Sequence, residues 1–126
     1  GVEEGAPPHL LEKLGEVASN GIEAIRVCRS EGVKLGFGTD LLGPMHKHQR
    51  DEFRLRAAVE SPFEVLNSAT AVNAQILGMD GQLGCIQPGS FADFLVVDGN
   101  PLEDLSLLYE NSDAIHSVWK DGTLVK

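Results

Sequence analysis

Apolar positions recur at helical spacing early in the chain. Leu10, Leu14, Val17, Ile25 and Cys28 fall three and four residues apart, with Gly21 at the turn between Val17 and Ile25. Pro7-Pro8 stands before this stripe and Gly32 after it, the favoured ends of a helix. The pattern predicts a helix over residues 10–31, weakened in its middle by Gly15 and Gly21. Residues 33–39, Val-Lys-Leu-Gly-Phe-Gly-Thr, form a short apolar run that ends on Thr39-Asp40 and reads as a strand. Gly36 and Gly38 weaken it as an isolated strand and make sense if something approaches that backbone closely. Gly43-Pro44 marks residues 41–48 as a loop. Arg50–Val59 looks helical, with Glu52 and Arg56 at i,i+4. Ser61-Pro62-Phe63-Glu64 is a capping-box start for a helix running to Leu77, or for two short helices split near Thr70, with Gly78 as its stop.

The texture changes after Gly78. Asp80-Gly81 and Pro88-Gly89 are turn pairs, and Phe94–Val97 is a continuous apolar run that reads as a buried strand. Asn100-Pro101-Leu102-Glu103 can start a short helix through Leu108. Ala114–Lys120, Asp121-Gly122 and Thr123–Lys126 form a hairpin pattern with a type I′ turn. Residues 79–126 are therefore expected to be mostly β. The first part offers one strand among helices, and one strand makes no sheet, so this part is expected to belong to a larger α/β body.

Composition narrows the classes. The 126 residues make one domain at most. A formal net charge of −9, from 10 Lys+Arg against 19 Asp+Glu, argues against sequence-independent nucleic-acid binding and against an anionic membrane surface. No apolar run reaches the roughly 20 residues of a membrane span, and no signal-peptide pattern opens the chain. Cys28 and Cys85 make no disulfide framework, so a cytoplasmic setting is expected. Gly1 in place of Met suggests a processed chain or a piece of a longer one.

Asp40 is the leading candidate for chemistry. It ends the predicted strand, where α/β proteins place catalytic and metal-binding groups. The plainer reading is that it caps a turn or the next helix. His46 and His48 flank Lys47 in the predicted loop and are either a metal pair or two solvent-exposed histidines. His116 is expected to be a half-buried strand residue, Cys28 and Trp119 and Tyr109 packing residues, and Asp93 a turn or strand-entry residue. Cys85 has no neighbouring His or cation to activate it.

Several motifs stand in one order: Gly36-Phe37-Gly38-Thr39-Asp40; the Ser61-Pro62 helix with Ala69-Thr70 and Leu77-Gly78; Gly84-Cys85-Ile86-Gln87-Pro88-Gly89-Ser90-Phe91-Ala92-Asp93; and Val97-Asp98-Gly99-Asn100-Pro101-Leu102. Together they resemble the C-terminal portion of the amidohydrolase superfamily, in its Xaa-Pro dipeptidase-like and imidazolonepropionase-like branch. The resemblance covers nearly the whole chain. It implies the last strand and helices of a (β/α)8 TIM barrel in residues 1–82 and the C-terminal strands of a small β-sandwich in residues 83–126, incomplete as an isolated fold. It also implies that Asp40 binds a divalent metal, zinc, and serves as general base in hydrolysing a C–N bond of a small-molecule amide, such as a dipeptide or N-acyl amino acid. The family's other metal ligands come from earlier strands that match nothing here, and His46-Lys47-His48 follows the last strand rather than the first. The isolated chain is thus expected to be inactive, and to pair with itself or with a missing N-terminal part. A non-enzymatic fragment or interaction module, and another enzyme with metal at His46/His48, remain the alternatives.

Overall fold

The computed structural model describes residues 8–126, and the side chains of His9–Leu11, Lys13–Gly15, Val17 and Ala18 lie outside the described set. Helix α1 spans Pro8–Ser30. Of its expected apolar stripe, Leu10, Leu14 and Val17 are therefore not described, while Ile25 and Cys28 are half-buried. The helix ends where the sequence said it should. Gly32 takes φ +71°, its N–H donates to Arg29 O (3.1 Å), and Val33 N–H donates to Cys28 O (2.9 Å). That pair of bonds satisfies carbonyls the helix end would otherwise orphan.

Residues 33–40 carry no β-ladder, contrary to the expected strand. A ladder needs a neighbouring main chain to exchange bonds with, and among the described residues only side chains reach this segment's centre. Residues 43–48 are a 3-10 turn rather than open loop. Helix α2 covers Asp51–Ala57. Helix α3 (Pro62–Asn67) runs through a π-helical turn (Ser68–Val72) into α4 (Asn73–Ile76), so the split expected near Thr70 is a widened turn. Its capping box is complete: Glu64 N–H donates to Ser61 Oγ (3.2 Å), and Ser61 N–H donates to the Glu64 carboxylate (2.8 Å). Gly78, at φ +69°, ends α4 with the same bond pair as Gly32: its own N–H to Gln75 O (3.0 Å) and Met79 N–H to Ala74 O (2.8 Å).

The last third holds less β-structure than its turn signals suggest. Strands β1 (Phe94–Val97), β2 (Ile115–Lys120) and β3 (Thr123–Leu124) form one antiparallel sheet in that order. Phe94 faces Trp119, their rings stacked at 5.7 Å, and a register shift falls between Val96 and Val97. The remainder is irregular, with a 3-10 turn at Leu105–Leu108 in place of the expected helix. The apolar run of β1 is not buried, since Leu95 and Val96 are exposed, and so is His116. The I′ turn is present, with Asp121 at φ +48° and Gly122 at φ +74°. Asp93 fastens it, accepting from Asp121 N–H and from Lys120 Nζ, each at 2.7 Å. These donors hold the Asp93 carboxyl below the ordinary range.

A small core joins the helical and β parts. Val65, Leu105 and Leu108 are buried together, with Phe37, Phe53, Leu66, Val97, Tyr109 and Ile115 packed around them. A second point of union is Gly84, at φ +69°. A Cβ there would collide with the Thr70 carbonyl, its carbon at 2.6 Å, so only glycine lets this loop meet the π-turn. Gly84→Ala should therefore lower stability by at least ~1 kcal/mol, since the left-handed backbone alone costs that much for a side-chain residue. Thermal unfolding measures it, and an unchanged midpoint would show that the loop is not packed this way.

Candidate functional site

The segment leading to Asp40 is held by buried polar side chains. Arg56, on α2, is only 3 % exposed, and a guanidinium so buried must be neutralised and hydrogen-bonded. Its Nε and Nη2 both reach the Glu60 carboxylate, the latter at 2.9 Å. Its Nη2 also donates to Ser68 Oγ (3.1 Å), and its Nη1 donates to the carbonyl of Gly36 (2.6 Å). Arg29, near the end of α1, adds a second guanidinium, with Nε on Glu60 Oε1 (2.6 Å) and Nη2 on Ser68 Oγ (2.8 Å). The Phe37 ring lies under Arg56, 5.4 Å from the guanidinium carbon to the ring centre. Arg56 is thus committed to Glu60, one turn onward, rather than to Glu52 as the helical spacing suggested. Burial pushes the Glu52 carboxyl above its ordinary range, against the lowering pull of Arg56.

One residue further along, Asn73 grips Phe37 at both main-chain groups. Phe37 N–H donates to Asn73 Oδ1, and Asn73 Nδ2 donates to Phe37 O, each at 2.8 Å. The side-chain amide supplies what a neighbouring strand would supply at that residue. Gly36 makes room for it, since a Cβ there would sit 2.8 Å from Asn73 Oδ1 and 2.7 Å from Ile76 Cδ1. This is the close approach that the glycines of residues 33–39 suggested, but it holds for Gly36 alone, since nothing lies within 4 Å of a Cβ at Gly38.

Asp40 follows three residues after this grip. It is exposed and takes φ +51°, a left-handed conformation that Asp tolerates better than most residues but that still carries strain. Among the described residues, no hydrogen bond or ion pair reaches its carboxylate. It caps no described helix: the 3-10 turn after it has Leu42 at its N-cap. The carboxylate is therefore open to a cation or a proton, and fits the role of one metal ligand. The described residues contain no group of three or more His, Cys, Asp or Glu able to hold a metal ion, so any such site would need ligands from elsewhere.

The two loop histidines do not combine. His46 and His48 stand two residues apart on a 3-10 turn, which places them about 120° apart around its axis. His46 is exposed, and His48 Nδ1 lies 3.2 Å from Asp51 Oδ2. Cys85, half-buried, meets Ser90 Oγ at 3.2 Å. Asn73, Ser68 and the Arg29–Glu60–Arg56 group carry the geometry; of these the sequence singled out only Arg56, and with Glu52 as its partner. Their signals were faint: an Asn inside a helix rich in Ala and Val, and an Arg and Glu at i,i+4.

Comparison with known proteins gives the chain its family. The amidohydrolase family model matches residues 7–125, and the chain belongs to the amidohydrolase family. It is similar to the solved structure of a prolidase in complex with N-methylphosphonate-L-proline, at 47% identity and a TM-score of 0.87, over 100% of this chain and 31% of that one. A solved Xaa-Pro dipeptidase with methionine bound in its active site is 33% identical, with a TM-score of 0.73, over 83% of this chain and 25% of that one. The ochratoxinase of Aspergillus niger is 29% identical over 98% of this chain and 26% of its own length. The chain thus spans about a quarter of the curated relatives it matches. Among the described residues, no helix is long and apolar enough to cross a membrane.

Glu60 gives this support a pH signature. Burial alone would raise its carboxyl, but hydrogen bonds from Arg56 and Arg29, and their charges, outweigh burial and hold it below the ordinary range. A group depressed in the folded state contributes stability that is complete above its unfolded value and is lost as pH falls through the folded one. Stability should accordingly fall with acid below the ordinary carboxylate range. Glu60→Gln should reduce that acid dependence and cost about 3 kcal/mol at neutral pH, because two guanidiniums lose their shared counter-charge. Urea unfolding from pH 3 to pH 7 reads both effects. An unchanged acid slope in the variant would mean that other carboxylates set it.

Proposed function

We propose that the chain is the C-terminal part of a metal-dependent amidohydrolase that cleaves a C–N bond in a small amide, a dipeptide or an N-acyl amino acid. The strongest support is the whole-chain likeness to the prolidase that binds N-methylphosphonate-L-proline, which favours amides of proline within that class. On this reading residues 33–39 are the last strand of a (β/α)8 barrel, residues 1–82 its C-terminal part, and residues 83–126 part of a small β-sandwich. A barrel needs about 250 residues. Apolar side chains such as Ile76, Leu77 and Ile86 are largely exposed, as expected of surfaces that a larger body covers.

Asp40 carries the chemistry in this proposal, both as one ligand of a divalent metal, zinc, and as general base. When bound, the metal supplies Lewis-acid activation of water and of the substrate carbonyl. The Asp40 carboxylate accepts the proton of the attacking water and returns it to the leaving amine nitrogen. Its exposure leaves it free for both transfers, and the grip on residues 36–37 holds the main chain that leads to it.

Asp40→Asn in the full-length protein tests the assignment. Asn tolerates the left-handed backbone as Asp does, so the fold should be spared. Loss of general-base work should lower kcat at least ~10²-fold, and metal retention should fall with it. A turn or cap role predicts the reverse: about 1 kcal/mol of stability lost with activity nearly intact. A kcat within a few-fold of wild type alongside a lowered thermal midpoint would remove Asp40 from the site.

A further inference from the structure

We propose that Asn73 is a positioning residue for Asp40, acting through the backbone of Phe37; the inference rests on the assignment of Asp40 as metal ligand and general base. A carboxylate that must both bind a metal and move a proton has to be placed within a fraction of an ångström. Asp40 has no described hydrogen bond of its own to set its direction. Its placement comes locally from the turn that Leu41 N–H closes on Thr39 Oγ1 (3.5 Å), and beyond that from the main chain before it. That main chain is fixed at two successive residues: Gly36, through its carbonyl on Arg56, and Phe37, through both of its main-chain groups on Asn73.

The π-turn is what brings Asn73 to this task. In a straight α-helix, Ser68 and Asn73, five residues apart, would stand about 140° apart around the axis. Here Asn73 N–H bonds back to Ser68 O, five residues earlier. A turn of that width brings five residues round by little more than one rotation, about 410°. Ser68 then accepts from Arg56, which itself holds the Gly36 carbonyl, and from Arg29, while Asn73 closes on Phe37. One added residue in the helical turn thus lets Asn73 act directly, and Ser68 through Arg56, on the segment that leads to Asp40. Strain and widened turns of this kind recur beside functional sites.

Nothing in this arrangement touches a reacting atom, so its effect should appear as misplacement and not as lost binding. In the full-length, zinc-loaded protein, Asn73→Ala should lower kcat roughly 10- to 100-fold per folded molecule, with KM within about threefold. Zinc retention against a competing chelator should weaken by about tenfold. Asn73→Asp keeps the shape and the acceptor for Phe37 N–H but loses the donor, and should fall between wild type and Asn73→Ala. Gly36→Ala, which would press on Asn73 Oδ1 without altering that residue, should reproduce the Asn73→Ala pattern.

A purely structural role gives a different result: a lowered thermal midpoint, with kcat and zinc retention of the folded fraction within about twofold of wild type. That outcome in Asn73→Ala, or in Asn73→Asp if the alanine variant does not fold, overturns the proposal. Asp40→Asn run alongside separates the two levels. If it loses activity while the Asn73 variants do not, the positioning role alone fails. If Asp40→Asn loses neither activity nor zinc, the reading of Asp40 fails and the role of Asn73 falls with it.

Discussion

The guanidinium of Arg56 is the constraint around which the helical part is arranged. A buried positive charge is tolerated only with a counter-charge and with its N–H groups satisfied. Glu60 supplies the charge from the turn that follows α2, and Ser68 and the Gly36 carbonyl take further donors. Each partner lies on a different segment, so satisfying one side chain fixes the end of α2, the π-turn and the segment before Asp40 relative to one another. Arg29 extends the same logic to α1, which would otherwise meet the rest through few described contacts. A cluster of this kind contributes less through net energy than through the arrangements it forbids. Any shift of one element leaves a charge or a donor buried without a partner.

The apolar core complements this network by doing a different job. Val65, Leu105 and Leu108 join the helical part to the β part, and Phe37 packs against Phe53 with ring centres 4.5 Å apart. Phe37 thereby belongs to both systems. Its ring is in the apolar cluster and beneath Arg56, and its main chain is held by Asn73. Packing fixes the side chain, hydrogen bonds fix the backbone, and the two together leave residue 37 little freedom. The freedom begins just beyond, at Gly38 and Asp40, which are exposed.

How much of this could be read in advance follows from the range of each interaction. Local signals were reliable: the Ser61 capping box, the glycine stops at Gly32 and Gly78, and the Asp121-Gly122 turn all depend on residues within a few positions. The split near Thr70 was visible as a break in helical texture, although its meaning was not. The strand at 33–39 failed as a local prediction because strand state depends on a neighbour, and the apolar run says only that a neighbour would be welcome. The buried run at Phe94–Val97 failed for a related reason. Burial is a property of what covers a face, and Leu95 and Val96 have open faces here. The candidate site was half legible. Asp40 stood out by its place at the end of an apolar run, whereas Asn73 lies 36 residues from Phe37 and Arg29 lies 31 from Glu60. No periodicity connects residues at such distances. Only Gly36 and Gly38 hinted that something had to come close, and of the two only Gly36 has such a neighbour.

Under the proposed function, this division of labour separates stability from reactivity. A carboxylate that accepts a metal and a proton keeps acceptor sites open for both, and hydrogen bonds to its charged form lower its basicity. It has to remain exposed and still be accurately placed. Here two restraints sit upstream, at Gly36 and Phe37, where buried Arg56 and half-buried Asn73 hold the main chain without touching the carboxylate, and a bond from Leu41 N–H to Thr39 Oγ1 (3.5 Å) closes the turn around Asp40 itself. Asp40 itself takes a left-handed turn, φ +51°, a conformation that Asp tolerates better than most residues and that sets the line along which its side chain leaves the held segment.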